Sequence, residues 1–559
     1  MSPPAPYRYD PTAFRDVFEH RFTYLSGVER NSHRFAARAA LHDPDTGRRW
    51  TYAELWADTG RLAAGLAAAG VEAGDVVVLQ LYNGPEFVLL WLAAQRLGAI
   101  AAPINFRLSS GETAHVLDDS LPRVYVYDLT LAATARDALA SARHRPALVA
   151  AVDASGGDGA GPGSAVAFAE LLGDADADAD AAPPLATDTT IYAETTRLYT
   201  SGTTGLPKGV SLNSLVEVLS AHDVIMHFPL SPEDRTLNMT PWFHRGGLYS
   251  GGPNPVLYVG AEAVAQRQFD PATVLDRVQE HELTFLIGAP TNLALLAAEQ
   301  QERPRELGSL RGIVTMGAPL DREACLRYQR LLTPRIFNGY GTTEAFWNTF
   351  LRPADLPEHA GSAGRACTDD DVAVVRVYED RAADPDDHVA QDGREVGEVI
   401  VRSVKSGYAY VNQQEEQDAR FRDGWLYIGD LATWDQDEYI TIVGRKDDMI
   451  ISGGENVHPA QVEGVLTEHP GVAEAVVVGV PDERWGELVV AYVVRADPAL
   501  DAATCEAHCL GHPMLADYKR PRAYRFVDAL PMTATGKKMH YQVREQARRE
   551  AAEGVLDLP

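Results

Sequence analysis

Asp75 to Leu81 is a strand dominated by consecutive Val and Leu, set between helical patterns over Ala63 to Ala69 and Pro85 to Leu97. A strand without polar alternation has no face for water, so both its faces must be covered. This βαβ rhythm predicts an α/β fold with parallel sheets and helices on both sides. The longest apolar stretch, Phe87 to Ile104, is interrupted by Gln95 and Arg96. It reads as a buried helix leading into a strand, not as a membrane span. At 559 residues the chain is too long for one core and must divide. Between Asp153 and Pro184 the sequence is mostly Gly, Ala, Ser and Asp, ending in the alternation Asp174 to Asp180. That composition predicts a solvated loop separating a first α/β subdomain from a second that opens with the hydroxyl-rich stretch Tyr199 to Gly209. After Gly397-Glu398-Val399-Ile400-Val401 short strands predict a small β-rich piece, and the region beyond Asp447 reads as a compact α+β unit.

The chain holds 50 Lys and Arg against 79 Asp and Glu. Nucleic acids and anionic membranes need a basic footprint, so neither is an expected partner. The same balance means that an anionic small ligand must be captured by local groups against the overall field. The start Met-Ser-Pro-Pro-Ala-Pro carries no secretory signal, and a cytoplasmic location is the expectation. Four cysteines give no disulfide framework. Cys505, His508, Cys509 and His512 fall on one helical stripe, but four ligands strung over two turns cannot converge tetrahedrally on one zinc ion. An ordinary amphipathic helix is expected there.

The densest chemical signal is Tyr199-Thr200-Ser201-Gly202-Thr203-Thr204-Gly205-Leu206-Pro207-Lys208-Gly209. Glycines let backbone N–H groups face an anion, Ser and Thr add hydroxyl donors, and Lys208 adds a mobile positive charge. The spacing differs from G-x-x-x-x-G-K-[ST], and Pro207 and Gly209 flank the lysine, so the loop is expected to close over phosphate without opening a helix.

This loop resembles the phosphate loop of the adenylate-forming superfamily of acyl- and aryl-CoA synthetases, luciferases and nonribosomal adenylation domains. Asn338-Gly339-Tyr340-Gly341-Thr342-Thr343-Glu344 resembles the family's second nucleotide motif, Gly424-Trp425-Leu426-Tyr427-Ile428-Gly429-Asp430 the third, and Gly444-Arg445-Lys446-Asp447-Asp448 the hinge. Pro531-Met532-Thr533-Ala534-Thr535-Gly536-Lys537 resembles the C-terminal catalytic loop. Pro241-Trp242-Phe243-His244 and Gly317-Ala318-Pro319 fall between them in family order.

The resemblance implies an N-terminal AMP-binding domain over 1–446 and a mobile C-terminal lid over 447–559, turning about Asp447. It implies ATP and Mg²⁺, with Thr200, Ser201, Gly202, Thr203, Thr204 and Lys208 around the β and γ phosphates and Thr343 at the α phosphate. Glu344, with Thr200, would hold the metal, whose hard charge prefers oxygen. Asp430 and Arg445 suit the ribose hydroxyls, an exposed salt bridge between them being the alternative. Adenine would lie against Tyr340 and the backbone of Gly317, Ala318 and Pro319, with Asn338, Gly339, Gly341 and Thr342 completing the nucleotide wall. Lys537 is the catalytic lysine and His244 joins the catalytic groups, whereas Lys538 is expected in solvent. Gly453, Gly454 and Glu455 would flank the pantetheine arm of CoA.

Departures from the family pattern bear on the substrate. Asn213-Ser214, Ile428 and His540 replace common residues without touching the nucleotide groups. Arg245 follows His244, and Met316 and Trp347 are bulky; with Phe243, Gly246 and Phe346 they form the expected acyl pocket, too short for a long fatty chain. Arg245 is either a snorkelling surface residue or, if buried, a group that demands an anionic or strongly polar partner. The expected reaction joins an aryl or other short acid to CoA through an acyl-adenylate. The alternative is a diazotase-like enzyme that activates nitrite as nitrosyl-AMP for attack by an aryl amine. A homodimer is compatible with either.

Overall fold

A computed structural model describes residues 11–153, 165–172, 189–201, 206–378, 381–446, 448–531 and 538–556. Among these residues the strands form four sheets. The first runs in the order Val166–Ala167, Leu148–Val152, Val124–Asp128, Val76–Gln80, Ile100–Pro103, Glu194–Ser201 and Pro207–Asn213. Its strands are parallel except the last, which folds back as a hairpin. The second has a parallel centre built from Ile336–Thr342, Gly312–Met316, Phe285–Gly288, Arg235–Asn238, Glu262–Val264 and Ala39–Asp43. Antiparallel strands flank it at both ends. A small antiparallel sheet follows (Asp370–Val375, Gly397–Ser403, Phe421–Arg422, Trp425–Trp434, Ile440–Arg445), and the last sheet (Ile450–Ser452, Glu455–Val457, Val472–Asp482, Gly486–Arg495, Ala523–Val527) carries the C-terminal helices.

The βαβ reading holds: Tyr52–Ala68 and Pro85–Arg96 are helices around the strand Val76–Gln80. Pro85–Arg96 is apolar on nearly every side because it lies where the two large sheets share one core, among Leu41, Val77, Val124, Ile287 and Val314. None of the described helices is long and apolar enough to cross a membrane.

Two expectations are corrected. Within the Gly/Ala/Asp-rich segment, residues 165–172 are not loop: Val166–Ala167 adds an edge strand and Phe168–Leu172 a short helix, burying Phe168 and Leu171. These few apolar residues suffice to dock the chain on the sheet edge. The hydroxyl-rich loop does not open the second subdomain either. Its two flanking strands close the first sheet, through pairing of Ala101 with Thr196. The second sheet instead recruits the early hairpin Ala39–Asp43 and Arg48–Thr51.

The C-terminal unit docks on the helix Ser110–Ser120, whose start is a capping box between Ser109 and Glu112. Glu112 Oε2 accepts from Ser109 N–H, while Oε1 lies 2.5 Å from Lys519 Nζ. Gln461 bridges both partners, and Gly111 N–H donates to Pro513 O at 2.9 Å. Both charges are sealed from water, with side chains 2% and 0% exposed.

Candidate active site

A cavity of about 1360 Å³ lies where the two large sheets, the small sheet and the C-terminal unit meet. It gathers Thr200 and Lys208, Phe243 to Gly246, Met316 to Pro319, Asn338 to Glu344, Phe346 and Trp347, Asp430 and Arg445, and Gly453 to Glu455. Ser201 ends its strand. Gly202, Thr203, Thr204, Asp447 and Lys537 lie outside the described residues.

At one end Thr200 pairs in register with Lys208 across the hairpin. Lys208 Nζ is 3.0 Å from Glu416 Oε1, and Glu416 also takes Arg420 Nε at 2.8 Å. Tyr410 donates its phenol to Glu344 Oε1 at 2.6 Å. A carboxylate and a threonine hydroxyl on the same wall as a lysine form a hard-oxygen set, which suits Mg²⁺ with phosphate oxygens. Gly341 permits the tight turn that places these groups: a Cβ there would stand 1.6 Å from the Phe346 carbonyl oxygen. Phe346 takes φ of 62°, a strained conformation for an aromatic residue, directly beside the site.

Beside this end, Asp430 and Arg445 face each other across adjacent strands, with Arg445 Nη1 at 2.5 Å from Asp430 Oδ1. Tyr340 donates to Asp430 Oδ2 at 2.7 Å. The salt bridge of the alternative is thus present, but sheltered, with side chains 10% and 18% exposed. Burial, then the Asp430 charge, raises the Tyr340 pKa well above its ordinary value and keeps the phenol a donor. Gly317, Ala318 and Pro319 follow the strand Gly312–Met316 on the same wall.

The pocket beyond is walled by Phe243, Met316, Phe346 and Trp347. Arg245 is buried, which excludes the snorkelling surface reading. Its partners are internal: Nη1 donates to Thr343 O at 2.5 Å, and Nη2 to Lys405 O at 2.8 Å and Ser220 Oγ at 3.2 Å. Its guanidinium also lies 5.4 Å from the ring centres of Tyr249 and Phe346. Burial lowers its pKa to about 10, still charged. Two carbonyls and the Ser220 hydroxyl meet its terminal nitrogens, so Arg245 ties down the Thr343–Glu344 segment, while its Nε has no partner among the described residues. Behind it Glu217, fully buried, accepts from Thr196 Oγ1 at 2.6 Å and Tyr249 OH at 3.1 Å. Burial raises the Glu217 pKa to about 7 despite these donors and Arg245.

The fourth side is a hairpin of the C-terminal unit, turned by Gly453 and Gly454 with φ of 60° and 80°. It delivers Glu455 into the cavity, where Oε2 is 3.2 Å from His244 Nε2 and from Asn105 Nδ2, and Oε1 is 3.3 Å from Arg107. Burial pushes the Glu455 carboxyl up, but His244, Arg107 and Lys519 outweigh it and hold the pKa below the ordinary carboxylate value. Trp485 sits against Gly453, with Arg484 5.0 Å from its ring.

Tyr410, Glu416, Arg420, Arg107 and Lys405 were not found by sequence reasoning, because none stands in a chemically dense stretch. Lys538 is not free in solvent: it donates to Ala475 O at 2.7 Å and Glu463 at 3.1 Å. Cys505, His508 and Cys509 of the stripe lie on the helix Ala502–Gly511 and His512 caps its end; both sulfurs are in an apolar core, His508 is bonded to Val465 O at 2.8 Å and His512 to Glu468 at 2.8 Å. Asp223, His227 and Cys367 are close enough to share an ion, but Lys405 Nζ sits 3.0 Å from Asp223 and Arg352 2.7 Å from His227, supplying positive charge already.

Residues 28–409 match the model of the AMP-binding enzyme family, and residues 461–537 that of the AMP-binding enzyme C-terminal domain. The chain is 34% identical over 533 residues to the indoleacetate–CoA ligase of Aromatoleum aromaticum, covering 94% of this chain and 98% of the relative. Two structures of o-succinylbenzoate CoA synthetase from Bacillus subtilis, each 29% identical, bracket its shape. The one bound to the product analogue OSB-NCoA gives a TM-score of 0.79, covering 93% of this chain and 98% of that one. The one in complex with the acyl-adenylate intermediate OSB-AMP gives 0.65, covering 93% and 97%. With both family models matched in order along a chain whose motif residues meet in one cavity, the chain belongs to the AMP-binding, adenylate-forming enzyme family.

Proposed function

We propose that this enzyme activates an aryl or other short carboxylic acid with ATP and transfers the acyl group to the thiol of CoA. In the first step a carboxylate oxygen attacks the α-phosphorus and pyrophosphate leaves with the bond's electrons. In the second the thiol sulfur, losing its proton, attacks the acyl carbonyl and AMP leaves. The observation that carries this reading is the meeting, in one cavity, of the Lys208 and Glu344 end, the Tyr340–Asp430–Arg445 end, the Phe243, Met316, Phe346 and Trp347 wall and the Glu455 hairpin.

Lys208 and Thr200 meet the outer phosphates, Glu416 holding the lysine until a polyphosphate takes its place. Glu344 and Thr200 would hold Mg²⁺, which neutralises phosphate charge when bound. Asp430 accepts from the ribose hydroxyls while Tyr340 and Arg445 keep its carboxylate oriented. Lys537 donates to the carboxylate and bridging phosphate oxygens as charge builds, a contribution of about 3–4 kcal/mol for one preorganised donor. The lid comprises 447–559 and turns at Asp447. The higher similarity to the product-analogue complex supports reading the present lid pose as that of acyl transfer, with Glu455 beside His244 at the channel for the thiol. The nitrite alternative is not favoured, since the relatives this chain resembles activate carboxylic acids for CoA.

Pyrophosphate release measured against a panel of acids, each with CoA, tests the reading, with nitrite plus an aryl amine as the rival arm. Lys537→Ala should abolish acid-dependent pyrophosphate release while thioester formation from a pre-made adenylate persists. Equal loss of both half-reactions removes Lys537 from its role.

A further inference from the structure

Trp347 carries a donor that nothing satisfies: its indole Nε1 is buried without a hydrogen-bond partner among the described residues. The residue is 3% exposed and lines the cavity. Nε1 lies 2.7 Å from the point where a Cβ on Gly339 would stand, and Gly339, itself part of the cavity wall, places no side chain over the buried N–H.

The ring has little freedom to turn elsewhere. It stacks on Phe346 with centres 4.9 Å apart and planes at 12°, and it lies 4.6 Å from Phe350. Its carbonyl accepts from Lys405 Nζ at 2.7 Å, and that ammonium is fixed in turn by Asp370 at 2.7 Å and Asp223 at 3.0 Å. A second cavity-lining group, Ser250 Oγ, is also fully buried and without a partner among the described residues. Around them the pocket is apolar, through Phe243, Met316 and Phe346. A polar group held in such a wall is costly unless the ligand completes it.

The position within the pocket gives the direction. The acid's carboxylate must meet the nucleotide at Thr343 and Glu344, whereas Trp347 packs toward Phe228 and Phe350 in the core, at the pocket floor. We infer that Trp347 is a specificity-determining residue whose indole N–H receives a hydrogen-bond acceptor on the substrate. The substrate class is then an aryl acid bearing an ether, hydroxyl or carbonyl oxygen on the part remote from its carboxylate. This rests on the acid-activating reading above. Sites built to pair a polar group discriminate strongly against isosteres that lack it.

The test compares methoxy with ethyl, which match in shape and differ in the acceptor. Pyrophosphate release is measured with the 4-methoxy and 4-ethyl forms of benzoate, phenylacetate and cinnamate. Wild type is expected to favour the methoxy acid by at least tenfold in kcat/KM on the scaffold that fits, and Trp347→Phe to bring that ratio down at least tenfold, toward unity. A wild-type ratio near one on every active scaffold overturns the proposal, and needs no variant to fold. An unchanged ratio in Trp347→Phe also overturns it, as does a ratio that collapses in Ser250→Ala and not in Trp347→Phe. If no acid releases pyrophosphate in wild type, the acid-activating reading fails first and takes this inference with it.

Discussion

Replacing Lys519 by methionine isolates one interaction that spans the two parts of the chain. Lys519 Nζ lies 2.5 Å from Glu112 Oε1, with both side chains almost wholly out of water, and Gln461 bonded to each. Lys519→Met leaves the Glu112 carboxylate buried against an apolar chain, with its Ser109 donors and Gln461 Nε2 but no opposite charge. Stranding one partner of a buried pair costs about 3–5 kcal/mol. That cost falls only on the docked pose, because a lid that has turned away leaves Glu112 in solvent. At 1.4 kcal/mol per decade, 3 kcal/mol lowers occupancy of the docked pose about 100-fold relative to its alternative. Thioester formation from a pre-made adenylate, followed in a single turnover, should therefore slow by about two orders of magnitude. Acid-dependent exchange of pyrophosphate into ATP should change far less. Adding Glu112→Met should recover much of the loss, since two apolar residues strand no charge. Equal damage to both half-reactions, or no damage to either, would refute the reasoning that this pair holds the transfer pose.

Arg245→Leu removes three hydrogen bonds to Thr343 O, Lys405 O and Ser220 Oγ, so kcat/KM should fall at least tenfold for every acid alike. A fall confined to acids with an anionic substituent would show that Arg245 meets the substrate after all. Glu217 has a pKa raised from 4.5 to about 7, so its burial is harmless below the ordinary carboxylate pKa and costs stability as pH rises toward 7, up to about 3 kcal/mol. The Tm of Glu217→Gln relative to wild type should therefore climb between pH 5 and pH 8, and a constant offset would show that Glu217 is already ionised at pH 5. Met316→Gly opens the pocket, and acids one to three carbons longer than the native one should gain up to about 0.8 kcal/mol in kcat/KM per added methylene. If the chain-length profile does not move, Met316 is not at the pocket floor.

The parallel core was legible in the sequence because Val76 to Leu79 leaves no choice of face, and the place of Thr200 and Lys208 in the cavity because hydroxyls, glycines and a lysine cluster where no core could use them. Asp430 and Arg445 were readable from their motifs. Their mutual bond was not, since it depends on strand register. What composition concealed was assembly. The segment 165–172 looked like loop because its larger apolar residues, Val166, Phe168, Leu171 and Leu172, carry no period, yet a sheet edge is enough to order them. The sheet that receives the hairpin Glu194–Ser201 and Pro207–Asn213 depends on which edge is vacant, a property of the whole subdomain.

Arg245 shows the division most clearly. The sequence determined that a guanidinium follows His244, and physics determined that if buried it must find oxygen. Only the tertiary structure decided that this oxygen belongs to Thr343, Ser220 and Lys405 and not to a substrate, because those carbonyls and that hydroxyl come from segments up to 160 residues away. The same holds for Glu455 beside His244 and for Lys519 on Glu112. Local sequence fixes which side chains can ionise, donate or stack, whereas the partner of each is set by long-range packing, which no local pattern encodes.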